Sequence, residues 1–390
     1  MPNTEIPNIY REAVTKAISL HLPFALFAMP GSNEYSFFAS RPDDVNYNAI
    51  NSGILKGKAF FATRFAAPLA HGVMIKNELS AEEVIALPES TDPWPGAEIS
   101  AHTTSTSYPN YYGQLRTFRR AIGRRKITKA VLSRRIALES DINAIDLANQ
   151  YFAKLPDTFR ALFFTQESGL WLTATPELLL AAHCDSDDDD APIRFEAMSL
   201  AGTRPALTSK EWDEKNNTEH STVLDFIYNT LSEEGLNPTI HERIPLRFGG
   251  VEHLCHEISA TGHTNVFNLV DKLSPTPALG GHPVDAAVKL IGDTELHNRY
   301  YYGGVIGIID ENDFRAYVNI RCAMISPAIS ESGGILINIF AGGGIMKDSK
   351  PQREWTEAAN KAMPLYSILR PQSPDAIAGI PSPWSDLKER

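Results

Sequence analysis

The pattern of apolar and polar residues along this chain predicts strands that come mostly in pairs, with helices between the groups. Alternation with period two indicates strands, and apolar residues three and four positions apart indicate helices. The predicted strands cover residues 127–137, 160–183 (a hairpin of two strands), 240–247, 252–261, 301–309, 314–325 and 334–341. The predicted helices cover residues 8–20, 111–124, 144–155 and 209–233, and one begins just after Ser349. Such an order is typical of an α+β fold.

Two of the predicted strands carry an ionisable side chain among apolar neighbours. Lys129 shares a strand face with Ile127 and Val131, and burial there would lower its pKa, which makes it a candidate base. The alternative is an edge lysine whose ammonium group reaches solvent. Glu177 opens the strand ELLLAA, where desolvation would raise the pKa of its carboxyl group and make it a candidate acid.

The C-terminal helix places two acids and a lysine beside small and apolar residues. Glu354 and Lys361 share one stripe of this helix and Glu357 lies next to it, and the alternative is a ladder of surface ion pairs. The segment AGGGIM, with Gly342–Gly344, follows a predicted strand just before the helix. Its glycines would permit close approach of a ligand, and its backbone N–H groups could bind an anion; a plain tight turn is the alternative.

Further polar residues could either belong to a functional site or have only a surface or packing role. Arg321 and Asn319 face one side of a predicted strand, either as solvent-facing residues or as the polar floor of a cleft in which the arginine binds a carboxylate. Glu219 lies at the border of a helix's apolar arc, where a surface acid is the alternative. His253 and His256 point to opposite faces of a strand, which favours packing or single hydrogen bonds over a shared zinc ion.

Composition and charge exclude several classes of protein. The chain has 390 residues, 36 Lys+Arg and 47 Asp+Glu, so its net charge of −11 argues against a nucleic-acid or anionic-membrane surface. No apolar run reaches the ~18 residues of a membrane span, and the N-terminus lacks the pattern of a secretory signal. Three widely spaced cysteines indicate a reducing cytosol. The acidic run 185–190 lacks the glycine and distal glutamate of a calcium loop and reads as a solvated hairpin tip.

The order of short motifs along the chain resembles the chorismate-utilising enzymes, which include anthranilate, aminodeoxychorismate, salicylate and isochorismate synthases. The motifs, in order, are KAVLSR, TPELLL, LAGTRP, KNNTEH, EHLCHEI, PTPALGGHP, YYGGVIG, NIRCA, AGGGI and REWTEAANK. The resemblance covers about residues 111–370, the catalytic region; residues 1–110 match loosely as part of the same domain, and residues 371–390 form a tail. It implies one α+β domain of two large packed antiparallel sheets with flanking helices.

The resemblance also implies a magnesium-dependent site and a role for each candidate residue. By motif position, Glu219 and Glu357 are the metal ligands and Glu354 is a further acid near the metal, while Lys129 is the base and Glu177 the acid. The residues implied to hold the substrate are Gly202, Tyr302, Arg321, Gly342, Gly343, Gly344 and Lys361. The departure is Asn216, where the family usually has Asp or Glu, and we expect it to tune metal affinity.

Among the family's members the resemblance points to isochorismate synthase. Lys129 marks the water-using members, Ala201 stands where aminodeoxychorismate synthases carry a lysine, and Ala278 stands where salicylate synthases usually carry threonine. The implied substrate is chorismate and the implied partner set contains no glutaminase subunit, nucleic acid or membrane; a cytoplasmic monomer is expected. The alternatives are a salicylate synthase, an ammonia-using synthase and a catalytically dead binding homologue. The implied product feeds menaquinone or catechol siderophores.

Overall fold

The chain folds into two large antiparallel sheets packed face to face, with helices on the outside. This computed structural model describes residues 5–41, 57–89, 99, 101–124, 127–185, 191–206, 211–248, 251–328 and 334–369. The strands are β1 Phe24–Ala28, β2 Ser36–Ala39, β3 Lys58–Ala62, β4 Val73–Lys76, β5 Lys129–Ser140, β6 Phe159–Thr165, β7 Gly169–Thr175, β8 Leu178–Cys184, β9 Ile193–Pro205, β10 Thr239–Ile240, β11 Ile244–Phe248, β12 Val251–Gly262, β13 Gly281–His282, β14 Val305–Asp310, β15 Asp313–Val318, β16 Cys322–Pro327 and β17 Ile335–Ile345. The helices are α1 Asn8–Leu20, α2 Ala81–Ala86, α3 Tyr108–Arg124, α4 Ala144–Lys154, α5 Glu214–Glu233, α6 Val266–Leu273, α7 Val284–Thr294 and α8 Pro351–Leu369.

Strand order explains how distant parts of the chain meet. The first sheet has the order β13-β5-β17-β16-β7-β6-β1-β2, and the second has the order β10-β12-β9-β8-β15-β14-β3-β4, with β11 beside β12. Every strand pair is antiparallel, and long β17 runs beside β5 from Ile345 opposite Ala130 to Ile335 opposite Ser140. The predicted α+β class and the two packed antiparallel sheets are confirmed.

The core lies between the sheets and beneath the helices of the first sheet. Phe159 of the first sheet stacks on Tyr317 of the second, with ring centroids 4.4 Å apart and planes 3° from parallel. Trp171 is fully buried and stacks on Phe340. Helices α1, α4 and α8 bury apolar faces against the other side of the first sheet. A strand buried on both faces reads as a nearly continuous apolar run, which is the pattern of β6 and β7.

Helix ends follow local sequence signals. Asp213 caps α5 by accepting from the backbone N–H of Asn216, and Asn143 caps α4 in the same way. Ser80 and Glu83 form a reciprocal capping box at the start of α2. The helices predicted at 8–20, 111–124 and 144–155 are confirmed within three residues at each end, and the one predicted after Ser349 begins at Pro351. The helix predicted at 209–233 is confirmed from Glu214 to Glu233, and residues 211–213 precede it.

Two predictions about strands were wrong for one reason: the chain changes sheets where a single strand or hairpin was expected. The segment 160–183 forms three strands, and β8 leaves the first sheet for the second. The segment 314–325 forms β15 in the second sheet and β16 in the first, joined at residues 319–321. Arg321 therefore lies in the left-handed region at φ 51° instead of alternating along a strand. Alternation alone does not distinguish a straight strand from two strands that meet at a crossing.

The first hundred residues contribute strands to both sheets. Strands β1 and β2 form one edge of the first sheet, and β3 and β4 form one edge of the second. A stretch with three prolines (Pro88, Pro93 and Pro95) lies mostly outside the described residues. After it the backbone N–H of Thr106 donates to the carbonyl of Arg135, so this part of the chain runs along β5. The acidic run beyond Asp185 is also outside the described residues; β8 and β9, which flank it, pair as a hairpin.

In the described part of the chain, none of the helices combines the length and the apolar character that crossing a bilayer requires.

Candidate active site

A small cavity of about 80 Å³ lies where both sheets, α5 and α8 converge, and we call it the inner pocket. Nine of the twelve residues singled out in the sequence line it: Glu177, Gly202, Glu219, Tyr302, Arg321, Gly342, Gly343, Gly344 and Lys361. Of the other three, Lys129 pairs with Glu219 and Glu357 pairs with Lys361, while Glu354 lies next to Gly343. Residues up to 232 positions apart in sequence, from Lys129 to Lys361, thus meet at one place.

The three glycines form part of strand β17 and are not a turn that follows it. Gly342–Gly344 pair with β5, while the pairing of β17 with β16 ends at Ile339, so the other edge of the glycine segment faces the pocket. A Cβ atom on Gly344 would lie 2.6 Å from Lys129 Cε and 2.7 Å from Glu219 Oε1. A side chain here would displace the lysine and the glutamate, which explains why glycine is required.

Lys129 and Glu219 form a buried ion pair at the edge of the inner pocket. Lys129 Nζ lies 2.6 Å from Glu219 Oε1, and the lysine side chain is 3% exposed. Burial alone would raise the pKa of Glu219, but Lys129, Lys215 and Lys361 outweigh burial and lower this pKa to about 2. The carboxylate is therefore charged at any physiological pH. The predicted strand position of Lys129 is confirmed, and its role as a base stays a prediction.

Glu177 is a buried carboxyl group that keeps its proton at neutral pH. It lies between β7 and β8, with its backbone N–H bonded to Thr175 Oγ1 and its carbonyl accepting from Val318 N–H. Burial raises the pKa of Glu177 to about 8, although Lys129, Lys361 and Arg321 oppose the shift. The predicted rise in pKa is confirmed. A protonated carboxyl group beside a polar pocket is suited to donate a proton.

Arg321 is positioned by a histidine whose role the sequence interpretation underrated. Arg321 Nη2 lies 3.2 Å from His253 Nε2, and His253 Nδ1 lies 3.1 Å from the carbonyl of Gly202 and 3.2 Å from Thr203 Oγ1. Burial, together with Arg321 and Lys361, lowers the pKa of His253 to about 3. The neutral ring therefore accepts from the arginine and donates toward Gly202. For His253 the prediction of packing or a single hydrogen bond was wrong, because three partners meet at one ring. For His256 it is confirmed, since Nδ1 of this ring lies 2.6 Å from His220 Nε2.

The floor of the pocket is aromatic. The ring of Tyr302 stacks on Phe340 at 5.7 Å, and burial raises the pKa of Tyr302. A Cβ atom on Gly342 would lie 2.9 Å from Tyr302 Oη, so the hydroxyl reaches the glycine segment.

Gly202 lines the pocket at an irregularity in strand β9. Its positive φ of 75° lies where the pairing of β9 shifts opposite His253 and Leu254.

Three carboxylates surround the glycine segment, and each pairs with a lysine. Glu354 lies 2.9 Å from Lys215, and Glu357 lies 3.0 Å from Lys361, in addition to the pair of Glu219. Glu354 is 1% exposed, and its Oε2 has no hydrogen-bond partner. Among the described residues no three acidic, histidine or cysteine side chains lie close enough together to hold a metal ion as they stand.

The donor chemistry nevertheless fits a magnesium ion. A Cβ atom on Gly343 would lie 3.3 Å from Glu357 Oε1 and 3.6 Å from Glu354 Oε2, and one on Gly344 would lie 2.7 Å from Glu219 Oε1. Carboxylate oxygens are the ligands that hard cations prefer. The unpartnered oxygen of Glu354 is an available metal ligand. Glu219 and Glu357 would each have to replace their lysine partner by the metal ion. The magnesium site stays a prediction.

The contacts of Asn216 and Lys215 were not predicted from the sequence. Asn216 Oδ1 accepts from the backbone N–H of Thr203, and its amide donates to Asp213 Oδ1. Asn216 therefore ties the start of α5 to β9. Burial would lower the pKa of Lys215, but Glu354, Glu357 and Glu219 outweigh it and raise this pKa. A signal for Lys215 was present in its position four residues before Glu219, one helical turn away.

A larger cavity of about 1030 Å³, which we call the vestibule, leads into the inner pocket. The two cavities share Thr203, Arg321 and Lys361. The charged residues that line the vestibule in the described part of the chain are Lys154, Arg204, Arg321, Arg353, Lys361 and Glu357. Five cations and one acid make a positive entrance on a chain with a net charge of −11, which suits an anionic ligand.

A second buried ion pair supports strand β5 behind the pocket. Arg299 binds both oxygens of Glu295, at 2.9 and 2.7 Å, and donates to the carbonyls of Leu279 and Val131. Glu295 Oε1 also accepts from the backbone N–H of Ser133 at 2.7 Å. The pair thus fastens β5 to the segment before β13.

The comparison with protein families identifies the chain. The model of a family described as "Chorismate binding enzyme" matches residues 69–370. The chain belongs to this family. The match includes all twelve candidate residues and begins about forty residues before the resemblance noted in the sequence.

Several relatives and solved structures are similar to the chain. The isochorismate synthase MenF of Haemophilus influenzae is 30% identical over 260 residues, and EntC of Escherichia coli K12 is 29% identical over 263 residues. Each alignment covers 63% of this chain, and the two cover 56% and 63% of these relatives. The menaquinone-specific isochorismate synthase structure from Escherichia coli has a TM-score of 0.74 at 19% identity, covering 94% and 92% of the chains. Component I of anthranilate synthase from Streptococcus pneumoniae has a TM-score of 0.60 at 17% identity, covering 88% and 89%.

Proposed function

We propose that this protein is an isochorismate synthase that isomerises chorismate by adding water at ring C2 while the C4 hydroxyl leaves. The observation that carries the proposal is the pair of proton-transfer groups at one pocket. Glu177 holds a proton at neutral pH, and Lys129 reaches the same pocket edge beside Glu219. The named relatives that match the chain are isochorismate synthases, which supports the same activity.

The site supplies groups for both carboxylates of the substrate. Arg321, held by His253, is suited to bind the enolpyruvyl carboxylate, since a guanidinium group pairs with a carboxylate through two parallel hydrogen bonds. Lys361 already donates to the carbonyl of Gly342 at 3.0 Å and lies beside the position of the ring carboxylate. Tyr302 and Gly202 complete the wall. Substrate would enter through the positive vestibule.

Magnesium would be held by Glu219 and Glu357, with Glu354 as a further acid near it. When bound, the ion would neutralise charge at the ring carboxylate and help to orient it. The protein's own part is to place the glycine segment, whose lack of side chains leaves room for the carboxylate next to these acids.

The proton transfers follow from the two groups. Once the Lys129–Glu219 pair has given up its proton, Lys129 takes a proton from a water whose oxygen bonds to C2. The ring double bonds shift, the C4–O bond breaks, and Glu177 gives its proton to the departing hydroxyl, which leaves as water. Positioned acids and bases each contribute typically ~10²–10⁴-fold to such steps. Because the reaction uses water rather than ammonia, we propose that the protein needs no glutaminase subunit. We also propose that it is a cytoplasmic monomer.

The decisive experiment is a reaction of the purified protein with chorismate and magnesium, followed by chromatography of the products. We expect isochorismate, and we expect reversible loss of activity when a chelator removes the metal. Unchanged chorismate would contradict the proposal, and a product formed only with ammonia would indicate an anthranilate-type synthase.

A coupled pyruvate assay on the same reaction distinguishes the salicylate branch. Ala278 lines the inner pocket and Ile320 precedes Arg321, and both apolar residues resemble those of isochorismate synthases. We expect isochorismate to accumulate with little pyruvate. Stoichiometric pyruvate with salicylate would move the protein to that branch without changing the roles of Lys129 and Glu177.

A further inference from the structure

A line of hydrogen bonds joins the start of helix α5 to Arg321. Asn216 Oδ1 accepts from the backbone N–H of Thr203 at 2.8 Å, and Thr203 Oγ1 lies 3.2 Å from His253 Nδ1. His253 Nε2 in turn lies 3.2 Å from Arg321 Nη2. The side chains of Asn216, His253 and Arg321 are all buried. The line therefore runs through the interior of the protein, from the helix that carries Glu219 to the guanidinium group proposed to bind the substrate.

Strand β9 is irregular at the point where Asn216 holds it. The pairing of β9 with β12 shifts here, so that Gly202 is an extra residue between two pairs. Its φ is 75°, and a Cβ atom on it would lie 3.3 Å from Asn216 Cβ. The carbonyl of Gly202 lies 3.1 Å from His253 Nδ1. A bulge of this kind aims nearby side chains, and its backbone needs contacts from outside the ladder to fix it. The bond from Thr203 to Asn216 is such a contact.

Both polar ends of the Asn216 side chain are engaged. Its oxygen accepts from Thr203, and its amide donates to Asp213 Oδ1 at 2.7 Å. Asn216 lines neither the inner pocket nor the vestibule. An aspartate at this position could accept from Thr203 but could not donate to Asp213, and two carboxylates would meet at this short distance. The two bonds are thus a physical reason for an asparagine where the family usually has Asp or Glu.

We propose that Asn216 is a positioning residue that fixes Arg321 for the substrate carboxylate through Thr203 and His253, and that it is not a metal ligand. The proposal rests on the proposed function. Arg321 Nη1 is buried without a hydrogen-bond partner in the described part of the chain, so the contact of Nη2 with His253 directs the group. Without Asn216, the N–H of Thr203 loses its partner and the irregular segment shifts away from His253. Arg321 then no longer presents its nitrogens in the geometry that a paired carboxylate requires.

Two neighbouring asparagines provide a matched test. Asn216→Ala removes the bond to Thr203. Asn217→Ala is the control, because Asn217 also donates its side-chain amide at the start of α5. Its hydrogen bonds go to other partners than β9, namely the carbonyls of Trp212 and Asp213 and the side chain of Arg243. A general effect of weakening the start of α5 would appear in both variants.

We expect Asn216→Ala to raise KM for chorismate about tenfold with kcat within about threefold of wild type, because Arg321 holds the carboxylate before and during the reaction. The Kd for magnesium from calorimetric titration should stay within about twofold of wild type, since no charged ligand is lost. Asn217→Ala should match wild type in all three quantities. Equal KM values for the two variants would overturn the proposal, and so would a loss of magnesium affinity as large as that of Glu219→Gln.

A double variant shows whether Asn216 acts through His253. Adding Asn216→Ala to His253→Ala should raise KM no further, whereas independent roles would multiply the two effects and overturn the proposal.

An exchange of two residues replaces this test if Asn216→Ala does not fold, as judged by circular dichroism. Asn216→Asp should raise KM, and adding Asp213→Asn should bring KM back, because the exchanged pair again has one donor and one acceptor. A KM that stays raised in the double variant would contradict the proposed link.

A crystal structure of Asn216→Ala tests the link without reference to activity. Compared with Asn217→Ala, it should show a displaced backbone at residues 202–203 and a distance between Arg321 and His253 too long for a hydrogen bond. An unchanged contact between these two side chains would overturn the proposal even if isochorismate is formed. A wild type that leaves chorismate unchanged would refute the proposed function, while the crystal structures would still decide on the link.

Discussion

Two buried ion pairs border strand β5, and they differ in how completely their polar atoms are bonded. Arg299 and Glu295 hold each other through two hydrogen bonds and also bind two carbonyls and one backbone N–H. Lys129 and Glu219 are equally close, but the lysine nitrogen makes no further hydrogen bond. Both pairs have lysine or arginine side chains that are only 3% exposed.

The difference separates a structural pair from a reactive one. A buried charge is stable when its partners use nearly all its hydrogen-bonding capacity, and each nitrogen of Arg299 has at least one partner. Lys129 keeps donor capacity that nothing uses, and Glu219 lines the inner pocket. Unused capacity next to open space is what a group needs if it is to exchange partners during a reaction. We therefore expect substitutions in the two pairs to have opposite effects on activity and on stability.

The largest effect should be that of Lys129→Ala on activity. We expect kcat to fall ~10²–10⁴-fold, because the general base is lost. Stability should fall less than for Arg299→Met, since Lys215 and Lys361 also lower the pKa of Glu219 and this carboxylate is 15% exposed. The measurement is initial-rate kinetics with product chromatography, beside thermal unfolding of the same sample. Turnover within about twofold of wild type would mean that another group is the base.

Arg299→Met should show the reverse pattern, with a loss of stability. Removing one partner of a fully bonded buried pair typically costs about 3–5 kcal/mol of unfolding free energy, because a charge and several polar groups are left unpaired. Urea unfolding measures this cost. The double variant Glu295→Gln with Arg299→Met is the control, and it should recover part of the loss. A stability equal to wild type would contradict the structural interpretation of this pair.

Glu219→Gln and Glu357→Gln should each raise the magnesium concentration needed for half-maximal activity, on the order of tenfold or more, because each removes a charged oxygen ligand. Calorimetric titration with magnesium gives the same comparison without turnover. Glu295→Gln is the matched control: it removes a buried carboxylate that lines neither the inner pocket nor the vestibule, and its magnesium requirement should match that of wild type. Equal requirements for all three variants would refute the assignment of Glu219 and Glu357 as metal ligands.

The smallest effect should be a pH dependence with opposite signs at Glu177 and Glu295. The pKa of Glu177 is raised to about 8, so kcat should fall about tenfold per pH unit above that value as the acid loses its proton. Between its usual pKa and 8 the folded protein keeps a proton that the unfolded chain releases, so this group makes stability fall as pH rises.

The pKa of Glu295 is lowered, mainly by Arg299 acting against burial. Its contribution to stability is therefore present at neutral pH and lost as the pH falls through the folded-state pKa. Melting temperatures of wild type and Glu177→Gln across pH 5–9 test the sign at Glu177, because the variant should gain most at the alkaline end. Those of wild type and Glu295→Gln below pH 5 test the sign at Glu295, because the wild type should lose its advantage there. A parallel shift of both curves at every pH would show that Glu177 does not titrate in this range.

Local sequence patterns were sufficient for most elements of the fold. Helix α1 was predicted with its observed bounds. Strands β5 and β17 were predicted at 127–137 and 334–341, which overlap the observed strands. The raised pKa of Glu177 also followed from its apolar strand setting. These features depend on residues close together in the chain, which is why periodicity and composition reveal them.

The site residues were named from the order of motifs, and their contacts were not predicted. The ion pair of Lys129 with Glu219, the contact of His253 with Arg321 and the part played by Lys215 join segments that are far apart in sequence. A short stretch of sequence does not predict such contacts, since they depend on which strands pair and in which register.

The sequence by itself determined the class of fold, the acidic character of the chain, the family and the set of residues with chemistry to offer. Tertiary structure alone decided where the chain changes sheets, as at Arg321, and which buried charges find full sets of partners. The physical reason is that the energy of a buried charge depends on every group around it, and those groups come from strands β5, β9, β12 and β17 and helices α5 and α8. Only the assembled sheets give each nitrogen of Arg299 a hydrogen-bond partner and leave Lys129 at the edge of the inner pocket with a donor to spare.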